Sequence, residues 1–401
     1  MITSTIQLYK NAYHGLSRRI WLLSFVMLIN RSGTMVLAFM TLYCTYLGYS
    51  IKQAGWVVAI YGMGSIIGAL MGGKISDRFG FYYTQVSALF FGGILFMLLG
   101  QMKSIESIAI CTFFLSMVNE SFRPANATAI AHYSTTQNRT QSFSLVRLAI
   151  NLGWGIGSAL GGFLASINYH FLFWVDGFTN IAAAIILLLI LPVVSLGQQK
   201  RVPVAGSILP VNKSAYQDKP FLFFWLFTLL FSICFFQLFT TVPLFFKENL
   251  KLNEFWIGIV MAGNGILIAI FEMVIVYKLE GRRPYLRLMF YGALLMAASF
   301  IILNISFLHG ILLAVLFMLV ITIAEIVAMP FMNTYYISRT TDQNRGQYAG
   351  MYTMAWSVAQ VIGSSLGAYL AFQYGFNNLW LLVCLLSLTA AAGYYWLQTK
   401  G

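Results

Sequence analysis

Twelve nearly uncharged apolar stretches punctuate this chain, at 20–47, 54–75, 81–101, 107–133, 141–167, 171–195, 220–246, 255–277, 285–305, 310–335, 347–372 and 377–397. A run of roughly 20 apolar residues spans a bilayer as an α-helix. Inside lipid every backbone N–H and C=O must be bonded within the segment, so helix is the form such runs take. What remains cannot furnish a water-facing surface, because only 9% of the 401 residues are charged and 59% are hydrophobic, whereas soluble domains carry about 25% charged residues. The expected fold class is all-α and polytopic, with twelve transmembrane helices. The first stretch holds Arg31 at its middle and lacks a small-residue cleavage site after a short apolar core, so it reads as a span and not as a removable signal peptide.

The spans fall into two sets of six, and the sets repeat. Sliding the sequence by 206 residues (330 − 124) lays Pro124 on Pro330 and Gln137-Asn138-Arg139 on Gln343-Asn344-Arg345. The same displacement lays Gly157-Ser158, Leu160-Gly161 and Leu164-Ala165 on Gly363-Ser364, Leu366-Gly367 and Leu370-Ala371. Duplicated halves around a central site characterise secondary transporters. The expected organisation is an amino-terminal six-helix bundle over 1–195, a polar cytoplasmic linker over 196–219, and a carboxy-terminal six-helix bundle over 220–401, the two bundles being pseudo-symmetric.

The net charge of +13 is explained by orientation. With both termini inside, seventeen basic residues lie on inner segments, among them Arg18, Arg19, Lys74, Arg78, Arg139, Lys200, Arg201, Lys213, Lys219, Arg282, Arg283 and Arg345. The outer loops hold only Lys52, Lys103, Lys247 and Lys251. Such a bias orients a membrane protein, so the basic balance points to anionic lipid headgroups and away from nucleic acid. Cys44, Cys111, Cys234 and Cys384 sit in apolar stretches without paired spacing and read as packing residues.

Charges inside the spans carry more information, since each costs roughly 3 kcal/mol or more at the centre of a bilayer. Away from the span ends seven are present: Arg31, Glu120, Arg123, Arg147, Asp176, Glu272 and Glu325. Glu120 and Arg123, three apart on one helix, are expected to pair. Glu325 has no basic neighbour on its own helix and is the expected titrating group, with Glu120 held ionised by Arg123 or Arg31. Asp176, near the outer end of its helix, is expected to be peripheral and structural, and Glu272 to snorkel or to meet Arg282 or Arg283. Arg147 and Asn151 share one helix face. Tyr43, Tyr61, Phe235 and Tyr352 are candidates for a greasy cavity wall, although aromatic stripes in membrane proteins also serve packing.

Two motifs resemble a known family. The loop after the second stretch, Gly72-Gly73-Lys74-Ile75-Ser76-Asp77-Arg78-Phe79-Gly80, is similar to the G-x-x-x-D-R-x-G signature of the major facilitator superfamily, with Phe81 and Tyr82 where basic residues usually follow. Gly153 to Gly162 resembles the G-x-x-x-G-P-x-x-G-G element of twelve-helix drug:proton antiporters, with Ser158 in place of the proline. In that element Gly153, Gly157 and Gly161 are four apart, on one helix face that admits close backbone packing, and Gly162 completes the motif. Gly64, Gly68 and Gly72 repeat the spacing. The resemblance implies that Gly73, Asp77, Arg78 and Gly80 serve the conformational cycle. It also implies a central cavity lined by the first, fourth, seventh and tenth spans, which would bring Asn30, Arg31, Glu120, Arg123 and Glu325 to one chamber, with Arg147 and Asn151 at an inner gate. Asn30-Arg31-Ser32-Gly33 and Asn151-Leu152-Gly153 are similar to elements of proton-coupled peptide transporters, with Asn30 in place of their glutamate.

The resulting expectation is a secondary active transporter that exports small amphipathic molecules against a proton gradient. The alternative is proton-coupled import of peptides, metabolites or siderophores. No cofactor, metal cluster, nucleotide loop or catalytic constellation is legible, so an enzyme is not expected. The expected setting is a bacterial inner membrane, as a multi-pass monomer whose partners are lipids and a small-molecule substrate.

Overall fold

Local capping chemistry decides where the helices of this protein begin. Ser17, Ser50, Ser104, Asp218 and Asn253 each turn a side-chain oxygen onto a backbone N–H of the first turn that follows, satisfying donors that a helix start leaves open. Ser50 and Gln53 form a reciprocal capping box. Gly80 separates the second and third spans at φ 90°, a conformation that side chains with a Cβ rarely adopt.

A computed structural model describes residues 2–193, 214–305 and 310–400. Its helices are α1 (Ile2–Tyr13), α2 (Arg18–Ser32), α3 (Val36–Tyr46), α4 (Ile51–Phe79), α5 (Phe81–Leu99), α6 (Ile105–Glu120), α7 (Phe122–Tyr133) and α8 (Arg139–Ile167). They continue as α9 (His170–Ile190), α10 (Lys219–Phe236), α11 (Thr241–Glu248), α12 (Glu254–Leu279), α13 (Tyr285–Ile302), α14 (Gly310–Ser338), α15 (Arg345–Tyr374) and α16 (Phe376–Lys400). Among the described residues there is no strand, and 12 helical spans are long and apolar enough to cross a membrane. Three of these spans are interrupted: α2 and α3 form the first, α6 and α7 the fourth, α10 and α11 the seventh. Most of the expected linker, including Lys200, Arg201 and Lys213, lies outside the described residues.

The chain forms two compact units. One comprises Leu16–Ala215 with Arg339–Met354, and so contains α2 to α9 and the first turns of α15. Within it α4 packs on α6, α5 on α9 and α2 on α8. Its core joins Met35, Val36, Met40, Tyr43 and Cys44 to Phe96, Leu99, Leu115, Leu172 and Phe173. The small-residue stripe on α4 makes the α4–α6 contact possible: a Cβ on Gly68 would sit 2.8 Å from the Met117 Cα, and one on Gly72 2.7 Å from the Ser121 Cβ.

The other unit comprises Met1–Gly15, Tyr216–Ser338 and Ala355–Gly401. Here α13 packs on α14 and α16, α10 on α16, and α12 on α14. Trp380 is fully buried, stacked on Phe300 at 5.6 Å and on Phe376 at 5.9 Å. The amino-terminal helix α1 belongs to this unit. It lies on α12, where the Tyr9 hydroxyl donates to the Ile270 carbonyl at 2.9 Å. Burial, Tyr9 and Glu272 together raise the Tyr13 phenol above its ordinary pKa. Glu272 is 2% exposed, which corrects the expectation that it snorkels to the surface: α1 covers that part of α12 instead. Both units turn large apolar side chains outward, Phe163, Leu189, Phe255 and Phe372 among them, a surface suited to lipid and not to water.

Candidate transport site

The first span breaks at its centre, and the break is secured by another helix. α2 ends at Ser32 and α3 begins at Val36, so the new helix start presents backbone donors in the middle of the apolar layer. Asp176 of α9 takes them up. Its Oδ2 accepts from the Val36 N–H at 2.8 Å and from the Met35 N–H at 3.0 Å, and Oδ1 shares the Met35 N–H at 3.1 Å. Two neighbours on the same face of α9 complete the joint. Thr179 packs on Gly33, where a Cβ would stand 2.7 Å from the threonine Cβ, and the Asn180 side chain accepts from Asn30 Nδ2 at 2.9 Å. Asp176 is thus fully buried at mid-depth of the first span, which corrects its expected peripheral place. Sequence reasoning judged its depth from its own helix, whereas the break in the partner span sets its role. The spacing Asp176, Thr179, Asn180 was the available signal. Asn30, 4% exposed, faces α9 in this joint.

α8 closes on the same region. A Cβ on Gly153 would meet the Arg31 Cβ at 2.6 Å, one on Gly157 the Ser32 carbonyl at 3.0 Å, and one on Gly161 the Phe39 ring at 3.0 Å. Nothing stands within 4 Å of a Cβ on Gly162, so that glycine takes no part in the contact.

Beside the break lies a cluster of ions. Arg123 Nη1 and Glu120 Oε2 are 3.2 Å apart, joining the first turn of α7 to the last residue of α6. The charges of Arg31, Glu120 and Arg123 act on one another, and the Tyr61 hydroxyl of α4 stands among them. Arg31 Nε and Asn151 Nδ2 are buried with no hydrogen-bond partner among the described residues. Arg147 is half-buried on the same helix as Asn151. Tyr43 sits apart from this cluster: it is fully buried in the core, 4.6 Å from the Phe173 ring and 6.3 Å from Tyr169.

At the end of α4 the Asp77 carboxylate accepts from the backbone N–H groups of Gly346, at 2.6 Å, and Gln347, at 2.7 Å. It thereby caps the first turn of α15, where the helix dipole favours a negative charge. Gly73 makes the approach possible, since a Cβ there would stand 3.1 Å from the Gly350 Cα and clash with the Gly346 carbonyl. The Arg78 guanidinium lies over the Phe79 ring at 5.3 Å, and Gly80 provides the turn that follows.

In the other unit the seventh span is interrupted by a 3-10 turn at Gln237–Phe239. Displaced by 206 residues (330 − 124), the break at 33–35 falls on 239–241, where this turn meets α11, so the two halves are interrupted at nearly corresponding places. The chemistry differs. Gln237 Nε2 donates to the Gly363 carbonyl at 2.9 Å, and its Oε1 accepts from the Thr241 hydroxyl at 2.8 Å. Glu325, 1% exposed, accepts from Asn264 Nδ2 of α12 at 2.8 Å, and the same amide reaches Thr322 at 2.9 Å. Phe235 packs edge-on against Trp356 at 5.6 Å. Tyr352 falls in the first unit and is 8% exposed. Asn264, Gln237 and Asn180 escaped sequence reasoning because uncharged amides in apolar runs carry no signal until a partner helix is placed against them.

The profile of the Major Facilitator Superfamily matches residues 20–363. The chain is 25% identical to multidrug resistance protein 1 of Bacillus subtilis over 324 residues, covering 79% of this chain and 80% of that one. It is 24% identical to the Na(+), Li(+), K(+)/H(+) antiporter of Planococcus maritimus over 403 residues, covering 92% of each. Among solved structures, a bacterial homologue of the iron transporter ferroportin in its outward-facing state superposes with a TM-score of 0.75 at 14% identity, covering 96% of this chain and 100% of that one. The interrupted spans, the glycine-mediated helix contacts and the Asp77 cap are thus features of a multi-pass membrane protein that belongs to the major facilitator superfamily, whose members are transporters and not enzymes.

Proposed function

We propose that this transporter exports small amphipathic molecules in exchange for protons by alternating access. The observation that carries this reading is the presence of a buried acid in a span of each half, Glu120 and Glu325. Glu120 pairs with Arg123 beside Arg31, and Glu325, 1% exposed, accepts a hydrogen bond from Asn264. Burial disfavours the charged form of a carboxyl group, so a buried acid whose surroundings change between states takes up and releases a proton. The buried donors Arg31 Nε and Asn151 Nδ2 are suited to a polar group of the substrate, and Tyr61 to its apolar part. Similarity to a multidrug resistance protein supports the export direction.

A second reading, exchange of alkali cations for protons, is favoured by the antiporter that matches 92% of the chain. Import of peptides, metabolites or siderophores would employ the same acids in the opposite direction. Both termini are assigned to the cytoplasmic side of a bacterial inner membrane, with the monomer as the working unit. The test is uptake and efflux in proteoliposomes under an imposed pH gradient, with lipophilic cations, peptides, metabolites and alkali ions as substrates. Gradient-dependent movement of lipophilic cations supports drug export. Movement of sodium or potassium alone replaces it with the second reading.

A further inference from the structure

The Asp176 joint contains more than a cap. A cavity of ≈ 10 Å³ lies against it, lined by Thr34, Tyr61, Asn119 and Asp176 and otherwise by apolar side chains such as Met40 and Phe96, about the room one water molecule needs. Four of these residues offer polar side chains, enough to hold such a water. Tyr61 also lies near Arg31, Glu120 and Arg123, so it borders both the ion cluster and the cavity beside the Asp176 carboxylate.

The two carboxylate oxygens are unequally occupied. Oδ2 takes the two shorter contacts, from Val36 and Met35, whereas Oδ1 has only the shared 3.1 Å contact. Among the described residues no cation contacts the carboxylate. Of the elements packed on α9, α5 and α3 contain no charged residue, and their titratable groups are Tyr82 and Tyr83, and Tyr43, Cys44 and Tyr46. On α2, Arg31 faces Glu120 and Tyr61, while Arg18 and Arg19 lie at the far end of that helix. On α8, Arg139 and Arg147 precede the Gly153–Arg31 contact by six residues or more. α9 itself adds only His170, which rings with Tyr43 toward the start of the helix. Tyr61 is the titratable group across the cavity.

We propose that Asp176 is a second proton-binding site, fed by the water cavity, at which protonation loosens the break of the first span. The proton binds Oδ1, forming an O–H bond directed into the cavity, while Oδ2 continues to accept from Val36 and Met35. The carboxyl group then no longer carries the negative charge that favours the start of α3, so the half-helix is held less firmly at low pH than at high pH. The inference deepens the proton-driven reading and rests on it for its role in transport, but the protonation event is observable without transport.

The test is pH-difference infrared spectroscopy of the purified full-length protein in lipid nanodiscs. The wild type should show a carboxylic-acid C=O band that grows as pH falls, that persists in Glu325→Gln and that is lost in Asp176→Asn. Tyr61→Phe removes only a hydroxyl from the cavity and should move the midpoint of the same band. A difference spectrum unchanged by Asp176→Asn overturns the assignment. Should Asp176→Asn fail to fold, a wild-type spectrum whose bands are all indifferent to Tyr61→Phe overturns it equally. Failure of the proton-driven reading is separable: it would appear as gradient-independent transport in the wild type, with the Asp176 band still present.

Discussion

At the scale of single residues, the roles of the buried acids follow from what answers them. Glu325→Gln preserves shape and the contact with Asn264 but removes the charge change, so accumulation driven by a pH gradient should vanish while substrate exchange at equal pH persists. Accumulation with an unchanged pH profile would move the coupling role elsewhere. Glu120→Gln leaves Arg123 without its carboxylate. Because the Arg123 side chain is 36% exposed and Glu120 12%, the loss should fall between the ~1 kcal/mol of exposed pairs and the ~3–5 kcal/mol of fully buried ones, read as a lower unfolding temperature. Asp77→Asn retains one acceptor for the two α15 donors but loses the charge that complements the helix start. Turnover should slow while equilibrium substrate binding stays nearly intact, and a large loss of affinity at normal turnover would contradict that role. How far these residues were legible varies with their chemistry. An ion pair three residues apart announces itself in one helix, whereas Glu325–Asn264 and Asp176–Val36 need a second helix to exist.

At the scale of helices, glycine spacing indicates which face packs, and only the neighbour shows which glycines matter. Gly157 and Gly162 belong to the same sequence motif. A methyl group on Gly157 meets backbone carbonyls at 3.0 and 3.1 Å, while one on Gly162 meets nothing within 4 Å. Gly157→Ala should therefore lower the unfolding temperature in detergent, by an overpacking cost of about 1–3 kcal/mol. Gly162→Ala should leave it unchanged or raise it slightly, since alanine favours helix over glycine by about 1 kcal/mol. Equal responses from the two would mean that α8 does not rest on the first span through this face. The interruptions of the first, fourth and seventh spans were invisible as sequence, because hydropathy runs straight through them. At the first span the Asp176 carboxylate takes up the open backbone donors, at the seventh Gln237 bonds the Ile233 carbonyl, and at the fourth the Ser121 hydroxyl bonds the Val118 carbonyl.

At the scale of the whole molecule, orientation is written in the loops. A cysteine placed at exposed Thr136, between the fourth and fifth spans, should react with a membrane-impermeant maleimide only from the cytoplasmic side, and one at exposed Lys103 only from the outside. The four native cysteines are buried and should stay silent. The reverse pattern would invert the assigned topology. The sequence by itself determined the membrane setting, the twelve spans, the duplication and the family motifs. Each depends on composition or spacing along one chain, and lipid leaves an apolar run no alternative to helix. Tertiary structure alone decided that α1 lies on α12, that the spans break where they do, and that Asp176 holds one of those breaks. Such features arise when a polar group on one helix satisfies the backbone of another, and nothing in the order of residues records which two helices will meet.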